Sequence, residues 1–190
     1  MRNPRDPKNV KGVTYFLTPL EVSMSKIIIV DPQECGDCRI CEVVCSLFHF
    51  GECNPDKSRI RVVKRGIVEI PVVCQSCEVL FCAAVCPENA IYREEESNIV
   101  LVDSERCTGC KKCVGVCPYG AIFYDREGKK ALICDRCGGE PQCVLWCPRD
   151  ALHYEAMTEE TEIRHRQGAG QLVNLVHASG YRKPARIESF

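Results

Sequence analysis

Apolar residues in this chain come in short bursts rather than in long periodic stretches. Ile27–Val30, Ile60–Val63, Ile67–Val73, Ile99–Val102, Ile122–Tyr124 and Ala131–Ile133 are rich in β-branched residues. Each is bounded by charged or turn-forming residues, which predicts short strands. Arg65-Gly66 and Asp125–Lys129 read as hairpin turns between such strands. Pro71 lies inside one run and confines it to an edge, because proline has no amide to donate to a neighbour. Glu78–Val85, Lys111–Val116 and Gln142–Trp146 read as short helical turns. Near the end, Leu172, Val173, Leu175 and Val176 form one apolar face at helical spacing. Thr158-Glu159-Glu160 gives that segment an N-cap and an acidic first turn, while Gly168 and Gly170 are expected to interrupt it.

Cysteine changes this picture, because the gaps between the strands hold four copies of one spacing. The first run is Cys35, Cys38, Cys41 and Cys45, and the third is Cys107, Cys110, Cys113 and Cys117, both C-x2-C-x2-C-x3-C. The second is Cys74, Cys77, Cys82 and Cys86, with four residues in its middle gap. The fourth is Cys134, Cys137, Cys143 and Cys147, with five. Three runs end in Cys-Pro, at Pro87, Pro118 and Pro148, and continue Ala90-Ile91-Tyr92, Ala121-Ile122-Phe123-Tyr124 and Ala151-Leu152-His153-Tyr154. The first run has Ser46 in place of the proline, followed by Leu47-Phe48-His49-Phe50-Gly51.

Three closely spaced thiolates on an irregular loop reach three iron corners of one cubane, and the fourth cysteine of such a run serves a neighbouring cluster. Zinc sites usually pair two C-x2-C knuckles across a longer gap, and three cysteines at C-x2-C-x2-C crowd a single ion. A disulfide scaffold requires a secretory route. The segment Met1–Lys11 is polar, no apolar signal core follows it, and the longest purely apolar run near the start is only Ile27–Val30. A reducing cytoplasmic location without a membrane span is therefore expected. The chain has 190 residues and a net charge of −1, from 25 basic and 26 acidic residues, which gives no signature of nucleic-acid binding. Seventeen cysteines leave one outside the runs, Cys53, read as an inert, partly buried thiol.

With these motifs the chain resembles the four-cluster, sixteen-cysteine iron–sulfur subunits typified by the electron-transfer subunit of dimethyl sulfoxide reductase. The resemblance spans residues 26–154. It implies an α+β fold of two fused bacterial-ferredoxin-like units, with short strands and helical turns around four 4Fe–4S clusters. It also implies that the second run pairs with the third, and the first with the fourth. One cluster then takes Cys74, Cys77, Cys82 and Cys117, and its partner takes Cys107, Cys110, Cys113 and Cys86. The other unit holds Cys35, Cys38, Cys41 and Cys147, then Cys134, Cys137, Cys143 and Cys45. Each run is complete, and no phosphate-cradling loop or dinucleotide fingerprint accompanies them, so no catalytic residue is expected.

Around the runs, Arg39, Arg106, Lys111, Lys112, Arg136 and Arg149 read mostly as solvated surface charges. Gly36, Gly109, Gly138 and Gly139 are expected to let backbone approach sulfur closely. His49, His153, His165 and His177 share no spacing with one another and read as structural. The stretch Cys45-Ser46…His49…Gly51…Asn54-Pro55…Ser58-Arg59-Ile60 is similar to subunits that serve tungsten- or molybdenum-pterin aldehyde oxidoreductases. The implied partner is such a catalytic subunit, with a flavin subunit or soluble ferredoxin as the second redox partner. Carbon monoxide dehydrogenase or hydrogenase, and a free-standing polyferredoxin, are the alternatives. Residues 1–23 are expected to form a docking arm, residues 24–154 the double ferredoxin-like body, and residues 155–190 a helical tail.

Overall fold

The computed structural model describes residues 26–65 and 68–178. The docking arm and the Arg65-Gly66 turn fall outside these residues, at least in part. Among the described residues the strands form four two-stranded antiparallel sheets. Strand β1 (Lys26–Val30) pairs with β8 (Leu152–Ala156), with Val30 opposite Leu152. Strands β2 (Arg61–Arg65) and β3 (Val68–Val72) form a hairpin, as do β4 (Ile91–Arg93) with β5 (Val100–Val102) and β6 (Phe123–Asp125) with β7 (Lys130–Leu132). Pro71 sits opposite Val62, in a sheet where every strand is an edge. The chain thus has the mixed α+β, ferredoxin-like architecture read from its sequence.

Helix α1 (Ile40–Phe50) was not anticipated. It begins after Arg39, whose φ of 57° is left-handed, with no side-chain cap to advertise it. It ends where Gly51 turns left-handed at φ 71° and donates its amide to the Leu47 carbonyl. Cys41 and Cys45 lie four apart on its buried face, beside Glu42 and Ser46. Buried Glu42 accepts a 2.6 Å hydrogen bond from the Val62 amide and so ties α1 to β2. The shorter helices α2 (Phe81–Ala84), α3 (Lys112–Val116) and α4 (Gln142–Leu145) each carry the middle of a cysteine run. α1 packs on α4, and α2 packs on α3.

Helix α5 (Glu159–Ala178) is continuous, so Gly168 and Gly170 do not interrupt it. Gly168 instead permits close packing on β1, since a Cβ there would meet the Val30 carbonyl oxygen at 2.8 Å. Thr158 and Thr161 exchange hydrogen bonds at the helix start, closing a capping box in which threonine replaces the usual glutamate. Leu172 enters a core of Ile70, Val72, Ala121, Phe123 and Leu132, which seats the helix on its own chain. Each such aliphatic side chain contributes about 1.5–3 kcal/mol when fully buried. A second core joins Ile28, Ile60, Val62, Val73 and Leu152 to Cys41, Cys45 and Cys143. A third joins Ile91, Val100, Ile122, Ala131 and Ile133 to Cys113. The cysteines are therefore part of the apolar interior.

Candidate metal centres

Each run enters its loop through the same strained step. The residue two positions after the first cysteine is left-handed in all four runs: Asp37 (φ 51°), Ser76 (47°), Gly109 (71°) and Arg136 (56°). Three of the four lack the freedom of glycine, so the surrounding structure must impose the turn. At Gly109 the residue type is required twice, because a Cβ would also lie 2.2 Å from the Lys129 carbonyl oxygen. At none of the four glycines beside the runs is a sulfur among the atoms nearest an added Cβ. Gly36 faces the Arg149 side chain, and Gly138 and Gly139 have positive φ with open space around them.

The four loops converge into groups of neighbouring sulfurs. Cys86, Cys107, Cys110 and Cys113 line one cavity. Burial pushes the Cys74 thiol up to about 12, with Cys117, Cys77 and Cys82 as its charged neighbours. Burial also raises Cys35, whose neighbours include Glu69, Cys38 and Cys147, and takes Cys41 to about 12 beside Glu42, Cys35 and Cys38. Cys143 is raised well above the ordinary thiol range by burial, and then by Cys134, Cys45, Cys137 and Cys41.

The same neighbour relations run between groups. Cys113 feels Cys82, Cys134 feels Cys74, and Cys143 feels Cys41. The group of Cys113 thus adjoins that of Cys74, the group of Cys74 adjoins that of Cys134, and the group of Cys134 adjoins that of Cys41. Among the run cysteines only Cys110 and Cys38 are exposed, one in each terminal group. Cys53, outside the runs, is exposed as well rather than partly buried, because it lies on the open loop after α1.

Sulfur acceptors are supplied with donors. In three runs the chain turns after Cys-Pro, with Asn89 (φ 47°), Gly120 (63°) and Asp150 (52°) left-handed. The next amide then points back: Ala90 to Cys86 at 3.3 Å, Ala121 to Cys117 at 3.4 Å, and Ala151 to Cys147 at 3.3 Å. Cys45 has no such turn, because α1 continues past it. Its sulfur accepts instead from the Arg59 amide, 3.3 Å away and fourteen residues on.

His49, one turn beyond Cys45, lies 3.3 Å from an Asp135 oxygen and 3.8 Å from the Cys137 sulfur. Arg59 pairs with the other Asp135 oxygen. Burial works to lower His49, but Asp135, Cys137 and Cys45 outweigh it and hold the imidazole well above its usual range. Burial works to raise Asp135, but His49 and Arg59 hold it low. Burial likewise works to raise Cys45, yet His49, the Arg59 amide and Ser58 leave its thiol below the ordinary value. His49 was read as merely structural; its i, i+4 spacing from Cys45 on a helix is the signal that would have placed it here. Of the basic residues beside the runs, Arg39, Arg106, Lys111, Lys112 and Arg149 are exposed, whereas Arg136 is buried.

This donor set suits iron–sulfur cubanes. Thiols that burial holds near 12 remain protonated at neutral pH unless a metal supplies positive charge, and four sulfurs per group with inward amides provide it a closed seat.

Residues 67–157 match the 4Fe-4S dicluster domain. Over 121 residues the chain is 40% identical to the candidate electron transport protein YsaA of Escherichia coli, which covers 59% of this chain and 76% of that protein. The chain belongs to the 4Fe–4S dicluster ferredoxin-type electron transport proteins. A second member of the family is the polyferredoxin-like subunit of an aliphatic sulfonate oxidoreductase from Pyrococcus furiosus, 42% identical over 111 residues. That match covers 57% of this chain and 63% of the subunit's length. Among solved structures, the active-site complex BamBC of benzoyl coenzyme A reductase aligns at 26% identity and a TM-score of 0.40, covering 82% of this chain and 96% of that one. As a family member, the chain is an electron-transfer iron–sulfur protein. Among its described residues no helix is long and apolar enough to cross a membrane.

Proposed function

We propose that this protein is a four-cluster electron relay and the non-catalytic subunit of a cytoplasmic oxidoreductase complex. The observation that carries this reading is the succession of four adjoining cysteine groups, with one exposed cysteine in the first and one in the last. The ligand sets are Cys107, Cys110, Cys113 and Cys86; Cys74, Cys77, Cys82 and Cys117; Cys134, Cys137, Cys143 and Cys45; and Cys35, Cys38, Cys41 and Cys147. When bound, each cluster accepts and returns one electron. The chain's own residues hold the sulfurs in place, exclude water from the inner groups and aim amides at the thiolates. A succession with an exposed cysteine in its first and last groups suits transfer between two partners, one at each of these groups.

The catalytic partner is expected at the Cys38 end. Leu145 and Trp146 are exposed immediately before Cys147, and Ile40 is exposed immediately before Cys41. Apolar side chains gathered on a surface mark a contact face for another protein. We assign that partner to the tungsten- or molybdenum-pterin oxidoreductases, on the Cys45–Ile60 stretch that resembles their small subunits. The likeness to a polyferredoxin-like subunit of a sulfonate oxidoreductase supports a multi-subunit setting.

Anaerobic purification of the untagged protein from its native cell tests this reading. About sixteen iron atoms per chain, with a co-purifying large subunit and tungsten or molybdenum, is the expected result. Nickel in the complex would move the partner to carbon monoxide dehydrogenase or hydrogenase. A brown protein with no companion chain would make it a free-standing polyferredoxin.

A further inference from the structure

Arg136 sits between the first two cysteines of the fourth run, and only 4% of its surface is exposed. Its guanidinium leaves the loop that carries it and crosses to other parts of the fold. One terminal nitrogen donates to the hydroxyl of Ser76 at 2.5 Å and to the Asn98 carbonyl at 3.3 Å. The other donates to the Lys26 carbonyl and, at 3.5 Å, to the Ser97 carbonyl. Ser76 lies between Cys74 and Cys77 of the second run. The Arg136 amide itself points at the Cys134 sulfur, at 3.4 Å. This one residue therefore touches the loops of both central cysteine groups.

The guanidinium's hydrogen bonds go to neutral oxygens. Among the described residues no carboxylate pairs with Arg136, although Asp135 is its chain neighbour, because Asp135 faces His49 and Arg59. An ionised group buried without a counter-charge costs several kcal/mol, and carbonyl dipoles recover only part of that. Through its amide on the Cys134 sulfur and its guanidinium on Ser76, between Cys74 and Cys77, Arg136 stands beside two groups of sulfurs that become negative when ionised. The candidates for its counter-charge are the thiolates and clusters of these two central groups. The field of the guanidinium extends further: half-buried His165 on α5 is held below its usual range, first by burial and then by Arg136.

We infer that Arg136 is a shared, built-in counter-charge for the two central clusters and raises the reduction potential of both. The inference rests on the four-cluster reading above. Adding an electron to a central site adds one negative charge beside a fixed cation, so reduction there needs no accompanying proton. The electron enters from the redox partner at one end of the succession and leaves to the partner at the other. A cation placed at the middle keeps the two most buried sites from becoming an uphill barrier to that passage.

The test uses the full-length, anaerobically purified holoprotein with EPR-monitored redox titration, alongside iron and sulfide analysis. R136Q removes the charge and retains a donor amide; neither residue is glycine, so the left-handed backbone costs both alike. The expected result is that two of the four midpoints fall, each by at least tenfold in the one-electron equilibrium (about 59 mV per tenfold), while the other two move less than threefold. Four unmoved midpoints, four that move equally, or only one that moves would overturn it. If R136Q does not load iron, R136K decides, because its ammonium keeps the charge but not the fork of donors. A fully loaded R136K with all four midpoints preserved supports the counter-charge. An R136K that fails to load, or that loads with displaced central midpoints, makes Arg136 a strut and overturns the inference. Wild-type protein with well under sixteen irons would instead sink the four-cluster reading itself, before any variant is compared.

Discussion

The fourth cysteines of the runs form two kinds of corner. At Cys86, Cys117 and Cys147 the chain breaks at proline, turns left-handed three residues on, and returns the fourth amide to its own sulfur. At Cys45 the helix runs on to Phe50, and the nearby amides are spent on helical carbonyls. The amide donated to this sulfur comes from afar, from Arg59, with the Ser58 hydroxyl and the His49 ring close by. Ser46, standing where the others have proline, makes this possible. It is fully buried, donates to the Val43 carbonyl at 2.9 Å and accepts the Asn54 amide at 3.1 Å. That contact folds the return loop back along α1 and delivers Ser58 and Arg59 to the sulfur. A local corner is assembled by five residues of sequence; the Cys45 corner depends on three separate segments.

The contrast can be broken at several levels. Stripping iron from the holoprotein with a chelator removes the reason for both kinds of corner, and its effect should be the largest. We expect loss of the cooperative thermal transition in circular dichroism, because the cores around Cys41, Cys113 and Cys143 close on the metal-bound sulfurs.

Next comes an exchange of corner types. S46P imposes the local pattern on α1, removing a helix-interior amide and the anchor of the return loop, and should cost about 3 kcal/mol or more. Iron analysis should then show about four fewer atoms per chain. The converse, P148S, should change thermal stability by under about 1 kcal/mol, since serine can occupy the same turn. Equal losses from both variants would erase the distinction.

Smaller effects separate the donors. A151P removes the single amide aimed at Cys147, and H49A removes the side chain that bridges Cys45, Cys137 and Asp135. Each should cost about 1–3 kcal/mol in chemical denaturation by leaving a buried acceptor short of a donor. Only H49A should also displace the midpoint of the cluster proposed at Cys45, through loss of a charged neighbour. S58A is the mildest, about 0.5–1.5 kcal/mol for one neutral hydrogen bond. A loss well beyond that range would mean that Ser58 shapes the return loop itself, whose Ile60 it contacts through both amide and carbonyl.

The local corners were legible in the sequence because everything they need is contiguous: cysteine, proline, a turn residue, then alanine. The strands over residues 61–65, 100–102, 123–125 and 130–132 were legible within a residue or two for the same reason. What was missed is long-range. α1 has neither a side-chain cap nor a proline stop, and its apolar residues read equally as a loop after a cysteine run. Strands β4 and β8 hide in the tails of Cys-Pro runs, and β8 finds its partner more than a hundred residues upstream. Gly168 looked like a breaker because the Val30 carbonyl that it accommodates is invisible from its neighbours. Arg136 gave no sign of burial, since four of its oxygen partners lie in three other segments.

The pairing of β1 with β8 also sets a timetable for the nascent chain. Ribosomes add about 5–20 residues per second, so Cys35, Cys38 and Cys41 emerge several seconds before Cys147 exists. Throughout that interval the first run has neither its partner strand nor, on the proposed wiring, its fourth ligand. The second and third runs lie within 43 residues of each other, from Cys74 to Cys117, and can close as soon as both have emerged. Maturation should therefore proceed from the inside outwards, with the middle of the polypeptide loaded first and the two ends last. A chain truncated after Tyr124 is the natural mimic of that halfway stage.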